Sequence, residues 1–202
     1  LSKLQALVSE VTESFDRCRF HEGAKAIDEF IINHLSQTYV PLTRNIIWDD
    51  SAENLDRRLA VYSVIGHVLL QLDVMLHPLS PFITEYLYLT CFGRKKSIML
   101  ESWPQRDKKL VNSKVEAAFD KIKEIVSLAN AARNLAGLKR RWPVKEILIC
   151  GPGLKDTLGM EEKEEEGIAD ALEGLLNVEQ YPVLSRDADS ATVVLDAELL
   201  RE

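Results

Sequence analysis

The sequence predicts a mainly α-helical protein that ends in a small α+β segment, and three observations support this fold class. Over the first two thirds of the 202 residues, apolar side chains recur at three- and four-residue steps, as they do on one face of a helix. Beyond residue 143, short aliphatic and β-branched runs replace that spacing. The chain is 46% hydrophobic and 28% charged, which supplies apolar material for one or two cores and excludes a disordered chain. We expect a helical bundle over residues 1–142 and an α+β appendage over residues 143–202.

Two amphipathic helices are predicted before residue 40. The first presents the apolar positions Leu4, Leu7, Val8, Val11 and Phe15. The second presents Ala24, Ile27, Ile31, Leu35 and Tyr39. Gly23 either separates the two helices or lies in the first turn of the second. Pro41 lacks a backbone N–H and crowds the preceding turn, so we expect the helix to end or kink there.

Three further helices are predicted before residue 137. Asp50 or Ser51 can cap a long helix whose expected buried face contains Leu55, Leu59, Tyr62, Ile65, Leu69, Leu72 and Leu76. The Ser80-Pro81 pair starts the next helix, and residues 97–100 are expected to form a short strand. The last helix spans about 112–136 and ends at Gly137. Its expected buried face contains Val115, Phe119, Ile122, Val126, Ala129 and Leu135.

The C-terminal segment alternates between strand and helix patterns. Strands are predicted at 144–150, 178–184 and 192–195, with a short helix at 168–175. The acidic run at 161–166 is typical of a solvated surface.

The net charge of −7 for the whole chain argues against a nucleic-acid partner. The charge is, however, unevenly distributed along the sequence. Residues 94–145 contain 14 basic and 5 acidic residues, a local net charge of +9. Residues 151–202 contain 4 basic and 14 acidic residues, a net charge of −10. A basic excess of this size is the electrostatic pattern of a polyanion partner, although a lysine-rich helix surface has the same composition.

The order of residues within the basic segment favours an RNA partner. Arg133 and Asn134 end the long helix, and Lys139, Arg140, Arg141 and Trp142 follow closely. Arginine can grip phosphate with two hydrogen bonds, asparagine can contact a base edge, and tryptophan can stack on an unpaired base. Trp142 could equally fill the core between bundle and appendage, and Trp48 beside Arg44 has the same two interpretations.

No catalytic motif is found in the sequence. It contains no glycine-rich phosphate loop, no GxSxG motif and no HExxH motif, and its three cysteines are too far apart for a zinc knuckle. We therefore expect no catalytic residue, no metal site and no cofactor within this chain. No stretch approaches the ~18–20 uninterrupted apolar residues that a membrane helix needs. Because Leu1 already lies within an apolar pattern, the sequence is expected to be a piece of a longer protein.

Four segments of the chain resemble the anticodon-binding region of class I isoleucyl-tRNA synthetases, particularly their archaeal and eukaryotic branch. They are residues 34–44 (HLSQTYVPLTR) with Trp48, 77–88 (HPLSPFITEYLY), 97–104 (SIMLESWP) and 133–146 (RNLAGLKRRWPVKE). The second and third are shared with valyl and leucyl relatives, whereas the fourth and residues 175–178 (LLNV) favour the isoleucyl family. The resemblance runs from about residue 10 to 196. Gln37, Thr38, Pro41 and His77 depart from the family pattern.

The resemblance implies a tRNA-binding part of an isoleucine–tRNA ligase, with a helical bundle of the anticodon-binding type and the anticodon stem-loop of tRNA(Ile) as partner. Arg133, Lys139, Arg140 and Arg141 would neutralise phosphates, and Trp48 or Trp142 would stack on an anticodon base. Tyr39, Arg44 and Asn134 would contact base edges or ribose.

The HIGH-type and KMSKS-type signatures, which carry ATP and adenylate chemistry in that family, are absent from the sequence. The resemblance therefore implies that ATP and Mg²⁺ are used by an upstream catalytic domain and that this fragment alone is non-catalytic. It also implies a cytoplasmic, monomeric protein without a membrane partner. Two alternatives remain open: the same domain from a valyl or leucyl enzyme, and a helical protein-interaction scaffold, which would expose a large apolar patch instead of binding tRNA.

Overall fold

The computed structural model describes residues 1–93, 95–139, 142, 147–150, 176, 183–185 and 192–195. The chain divides into two compact units, Leu1–Asn112 and Ser113–Glu202, which are described separately. The described part is mainly helical, as the sequence predicts. The domain boundary expected at residue 142 stays a prediction, because most of the segment after it lies outside the described residues.

The first unit consists of helices joined by short turns. Its longer helices are α1 (Ser2–Asp16), α2 (Phe20–Glu29), a π-helix (Phe30–Tyr39), α3 (Val40–Trp48), α4 (Leu55–Leu76) and α5 (Pro81–Cys91). Single 3₁₀ turns lie at Ala52–Asn54, Ile98–Leu100 and Lys108–Leu110.

A tight turn joins α1 to α2. Cys18 adopts a left-handed φ of 58°, while the Arg19 N–H donates to the Ser14 carbonyl at 2.8 Å and ends α1. Gly23 lies in the first turn of α2, the second of the two predicted possibilities. A Cβ atom at Gly23 would come within 2.5 Å of the Phe15 ring, so glycine permits the close approach of the two helices.

The core of the first unit is built mainly from α1, α2 and α4. Its fully buried members are Leu4, Leu7, Val8, Val11, Ala26, Ile27, Phe30, Val68, Leu72 and Met75. The predicted stripe of α1 is therefore confirmed, with Phe15 and Trp103 partly buried against this cluster. The Trp103 indole N–H donates to the Thr12 hydroxyl at 2.8 Å, which attaches the loop after α5 to α1.

The helix predicted to end or kink at Pro41 does not end there. The backbone continues from the π-helix into α3, with Tyr39 and Val40 both in the right-handed helical region. Pro41 occupies the first turn of α3, where a missing N–H costs little. The Thr38 hydroxyl donates to the Asn33 carbonyl five residues earlier at 2.6 Å, in keeping with the wider π-helical turns before the proline.

The buried face predicted for α4 is largely wrong. Val61, Val68, Leu72 and Met75 face the core, whereas most of the predicted stripe is exposed. The exposed members of that stripe are Leu55, Leu59, Tyr62 and Leu69. Because α4 is apolar on nearly every side, residue spacing alone does not determine which face is buried. Among the described residues, Ala52–Leu76 is long and apolar enough to cross a membrane by composition, a test that helices of soluble proteins also pass.

The strand predicted at 97–100 is also wrong, since Ile98–Leu100 forms a 3₁₀ turn. The Glu85 carboxylate on α5 accepts hydrogen bonds from the Ser97 hydroxyl at 3.0 Å and the Ile98 N–H at 3.1 Å. In a β-strand, the backbone groups of this segment would bond to the backbone of a neighbouring strand. Here the Ile98 N–H bonds to a side-chain carboxylate instead.

Tyr88 reinforces this connection between α5 and the following loop. Its side chain is completely buried, its hydroxyl donates to Glu101, and the same oxygen accepts the Lys95 N–H at 3.0 Å. Lys95 also pairs with Glu101 at 2.9 Å. Residues 77–88 and 97–104 therefore contact each other through these hydrogen bonds.

The second unit contains α6 (Ser113–Leu135) and a three-stranded mixed sheet. The strands are β1 (Ile147–Cys150), β2 (Val183–Ser185) and β3 (Thr192–Leu195), in the order β2-β1-β3. β1 pairs parallel with β2 and antiparallel with β3. These strands overlap the predicted ones, whereas the helix predicted at 168–175 and the acidic run at 161–166 lie outside the described residues.

The buried face of α6 differs in part from the prediction. Ala118, Ile122, Ile125, Ala129 and Arg133 are its buried residues. Ile122 and Ala129 were predicted, but Val115 and Leu135 are exposed. The buried positions shift by about one residue, which rotates the face that packs inward.

We predict that Asp73→Asn stabilises the protein at neutral pH. Asp73 is 6% exposed, and its Oδ2 atom has no hydrogen-bond partner among the described residues. Burial, with a smaller contribution from the Glu85 charge, raises the pKa of Asp73 to about 6. Because the unfolded carboxyl has a pKa of about 3.9, the stability contributed by Asp73 is greatest below that pH and declines as the pH rises towards 6. The substitution should raise the unfolding free energy by about 1 kcal/mol at pH 7 and remove this decline. Thermal unfolding between pH 4 and pH 8 measures both effects.

The control is Asp28→Asn, which removes an exposed carboxylate from α2 and should leave the pH profile unchanged. A lower melting temperature for Asp73→Asn at pH 7 would show that the ionised carboxylate has a stabilising partner.

We predict that Tyr88→Phe lowers the unfolding free energy by about 1–2 kcal/mol, because it removes the hydroxyl that donates to the Glu101 carboxylate and accepts the Lys95 N–H. Tyr86→Phe is the matched control on the same helix, since Tyr86 is 65% exposed and should tolerate the change. Urea unfolding of both variants provides the measurement. Equal stability of the two would contradict a structural role for the Tyr88 hydroxyl.

Candidate nucleic-acid interface

The C-terminal turn of α3 presents an exposed aromatic side chain next to a cation. Arg44 and Trp48 are four residues apart, so both lie on one side of the helix. Trp48 is 79% exposed and Arg44 is also exposed. Of α3, only Thr43 is buried, and its hydroxyl donates to the Tyr39 carbonyl at 2.9 Å. Within the first unit, Trp48 is therefore a surface residue and not part of the core.

Polar contacts hold the segment after Trp48 in place. The buried Asn54 side chain donates to the Ile46 carbonyl at 3.0 Å, and Arg58 donates to the Asp49 carbonyl at 3.1 Å. Arg58 also pairs with Asp50. The Asp49 carboxylate accepts the Ser51 N–H, which is the main reason that the pKa of Asp49 lies below its ordinary value. These bonds fix the end of α3 and so the base of the Trp48 side chain.

Tyr39 lies at the other end of α3, at the last position of the π-helix. Its side chain is half-buried, and this burial raises the pKa of the phenol above its ordinary value. The hydroxyl therefore stays protonated at neutral pH and can donate a hydrogen bond.

The charges around Trp48 have both signs. Arg44 is on its helical face, but Asp49, Asp50 and Glu53 follow within a few residues and are exposed. Carboxylates repel phosphate oxygens, whereas a base has a neutral aromatic face. This environment suits stacking of a base on Trp48 better than close approach of the phosphate backbone.

The second group of predicted residues follows α6. Gly137 has a φ of +70°, the Gly137 N–H donates to the Asn134 carbonyl at 3.1 Å, and the Leu138 N–H donates to the Arg133 carbonyl at 2.9 Å. This is the hydrogen-bond pattern of a Schellman motif, and it confirms Gly137 as the residue that ends the helix.

Lys139 and Trp142 lie together after this motif. The Trp142 N–H donates to the Lys139 carbonyl at 2.9 Å, and the Lys139 ammonium lies 5.6 Å from the centroid of the Trp142 ring. Trp142 is 41% exposed, so part of the ring is accessible. We call residues 137–142 the basic turn.

Arg133 is placed differently from the expectation. It is only 2% exposed, and its guanidinium donates to the Trp142 carbonyl at 2.6 Å and to the Leu176 carbonyl at 2.7 Å. At this exposure, a phosphate could reach the guanidinium only if the packing around it opened. Asn134, by contrast, is exposed. Arg140 and Arg141 lie outside the described residues, and their phosphate contacts stay predictions.

The structure thus brings the predicted residues together in two groups, one in each unit. Tyr39, Arg44 and Trp48 lie along α3, while Arg133, Asn134, Lys139 and Trp142 lie at or after the end of α6. Sequence reasoning missed Asn54 and Arg58, which hold the segment after Trp48. Asn54 and Arg58 lie four residues apart at the start of α4, and this spacing was the sequence signal that could have identified them. Among the described residues, no group of His, Cys, Asp or Glu side chains could hold a metal ion.

The fold and these two groups define a helical domain with exposed cationic and aromatic side chains, and comparison with known proteins agrees with this class. Residues 1–149 match the family model of the anticodon-binding domain of tRNA ligase. Residues 151–202 match the model of the BREX system PglZ C-terminal domain, over a stretch that lies almost wholly outside the described residues.

Among curated proteins, the chain is similar to isoleucine–tRNA ligases. It is 34% identical over 178 residues to that of Sulfolobus acidocaldarius, covering 88% of this chain and 16% of the relative. It is 27% identical over 201 residues to that of Thermoplasma acidophilum, covering 100% of this chain and 18% of the relative. It is 31% identical over 179 residues to that of Clostridium tetani, covering 86% of this chain and 17% of the relative.

The chain therefore belongs to the family of anticodon-binding domains of tRNA ligases. It spans less than a fifth of the length of these three relatives. Their names favour the isoleucyl over the valyl and leucyl alternative.

Proposed function

We propose that this domain binds the anticodon stem-loop of tRNA(Ile) and contributes affinity and recognition to aminoacylation. The observation that carries the proposal is the exposure of Trp48, at 79%, on a helix end that polar contacts hold in place. A large aromatic ring in water is unfavourable unless a partner covers it, and an unpaired anticodon base has the required flat face. Family membership supports the choice of tRNA as that partner.

We propose a role for each residue of the two groups, taken separately. Trp48 stacks on an anticodon base, while Arg44 and Tyr39 contact base edges or ribose along α3. Lys139, Arg140 and Arg141 neutralise phosphates from the basic turn, where Trp142 offers a second stacking face and Asn134 a polar contact. The local net charge of +9 over residues 94–145 supplies the longer-range attraction.

The remaining parts of the proposal concern the parent enzyme. We propose that a catalytic domain outside this chain uses ATP and Mg²⁺, and that the enzyme is a cytoplasmic monomer. Residues 143–202 are proposed to form the α+β appendage, which the three described strands support.

A second candidate function is a packing surface for protein. Leu79, Phe82, Ile83, Tyr86, Leu87 and Leu89 on or before α5 are exposed, as is the outer stripe of α4. An apolar surface of this extent is the feature predicted by the scaffold hypothesis and is normally covered by a partner. We propose the catalytic domain of the parent ligase as its occupant, because more than four fifths of each named relative lies outside the part that this chain matches.

We predict that Trp48→Ala weakens binding of the tRNA(Ile) anticodon stem-loop by about five- to 150-fold, which corresponds to the loss of one base–aromatic stack of ~1–3 kcal/mol. Trp48→Phe should retain part of the affinity. Fluorescence anisotropy at low salt measures binding, and melting temperatures should stay unchanged because Trp48 contributes little to the core.

Phe82→Ala is the matched control for that experiment, since Phe82 is a 91% exposed aromatic residue outside the proposed RNA site. Wild-type affinity for Trp48→Ala, or an equal loss for Phe82→Ala, would contradict stacking at Trp48.

We predict that Phe82→Asp leaves the stability and RNA affinity of the 202-residue chain unchanged but lowers the melting temperature and aminoacylation rate of the longer polypeptide that contains the catalytic domain. The introduced aspartate would be buried without a partner only in the longer polypeptide, where the catalytic domain covers the apolar surface around residue 82. Destabilisation of the 202-residue chain itself would show that the face is covered within this chain, and the docking proposal would then fail.

A further inference from the structure

Arg133 combines a full charge with nearly complete burial. At 2% exposure it is the largest fully buried side chain among the described residues. A guanidinium is costly to remove from water unless its N–H groups find acceptors. Arg133 finds them in two carbonyl oxygens that belong to different chain segments, Trp142 at 2.6 Å and Leu176 at 2.7 Å.

The backbone of Arg133 also bonds to the segment that follows α6. Its carbonyl accepts the Leu138 N–H at 2.9 Å, which closes the Schellman motif at the end of α6. The main chain of Arg133 therefore holds the start of the basic turn, and its side chain holds the end. Between these two contacts lie Lys139 and the two arginines assigned to phosphate binding.

The planar fork of arginine suits this task, and lysine cannot replace it. Two guanidinium nitrogens reach two carbonyls at once, whereas an ammonium is a point charge on a flexible stem. Lys139 stands over the Trp142 ring at 5.6 Å, so the position of the Trp142 backbone also affects where this cation is presented.

We propose that Arg133 is a positioning residue, which acts through the Trp142 and Leu176 carbonyls to hold Lys139 and Trp142 of the basic turn where they can bind RNA. This inference rests on the proposed tRNA-binding function. It differs from the sequence expectation, in which the Arg133 guanidinium itself contacts phosphate.

Limited proteolysis tests the positioning step without RNA. Trypsin cleaves after lysine and arginine, so the basic turn offers sites at 139–141, and the exposed Lys108 and Lys109 offer a reference in the first unit. Arg133→Lys keeps the charge but loses the fork. It should raise cleavage at 139–141 about tenfold relative to cleavage after Lys108 and Lys109, whereas the exposed Arg106→Lys should not.

An unchanged cleavage ratio in Arg133→Lys would overturn the proposal. Faster cleavage at both places in equal measure would overturn it as well, because that result indicates general destabilisation instead of release of the turn.

Binding of the tRNA(Ile) anticodon stem-loop over a range of salt concentrations tests the consequence. Arg133→Lys should lower affinity about five- to 30-fold with no change in the slope of log K against log salt, because the number of neutralised phosphates stays the same. Lys139→Ala should instead reduce the slope by about 0.7–0.9.

Wild-type affinity for Arg133→Lys, together with a reduced slope for Arg133→Ala, would assign Arg133 to phosphate and overturn the positioning role. Failure of the unsubstituted chain to bind at low salt would overturn the proposed function instead, and the proteolysis result would remain distinct because it is obtained without RNA.

Discussion

The first unit depends on the apolar contact of α1 with α2 and α4. Ten side chains from α1, α2, the start of the π-helix and α4 fill this core. α3 contributes none of them, and only its Thr43 is buried. Because the core is complete without α3, the C-terminal turn of that helix projects Arg44 and Trp48 into water. Arg44 and Trp48 are thus exposed because the apolar residues of the other helices pack against one another without α3.

Polar contacts then hold the segments around the exposed side chains in defined positions. Asn54 and Arg58 hold the segment after Trp48, and Glu85 with Tyr88 holds the loop after α5. In the second unit, the Arg133 guanidinium donates to the Trp142 carbonyl. In each place a side chain satisfies backbone groups that no regular element satisfies. The exposed cations and aromatic rings can then meet a partner with little further ordering of the chain.

Residue spacing predicted those elements whose apolar residues occupy a single face. The stripe of α1 and the glycine that ends α6 were both identified from sequence. The buried face of α4 was not, because that helix is apolar on several sides and only its neighbours select Val61 and Val68 over Leu59 and Tyr62. Residue spacing also predicts a strand at residues 97–100, because it does not reveal the tertiary hydrogen bonds that Ser97 and Ile98 donate to Glu85. Arg133 was assigned to phosphate for a similar reason, since its carbonyl partner at residue 176 is distant in sequence.

The three tryptophans provide the most direct test of the proposed RNA binding at Trp48 in the first unit and at Trp142 in the second. Their indole N–H resonances can be followed by ¹H–¹⁵N NMR while the tRNA(Ile) anticodon stem-loop is titrated into the chain. The indoles of Trp48 and Trp142 should shift, whereas Trp103, which bonds to Thr12 and packs against Phe15, should stay in place. A titration that moves neither exposed indole, or that moves Trp103 alone, would contradict RNA binding at these two residues.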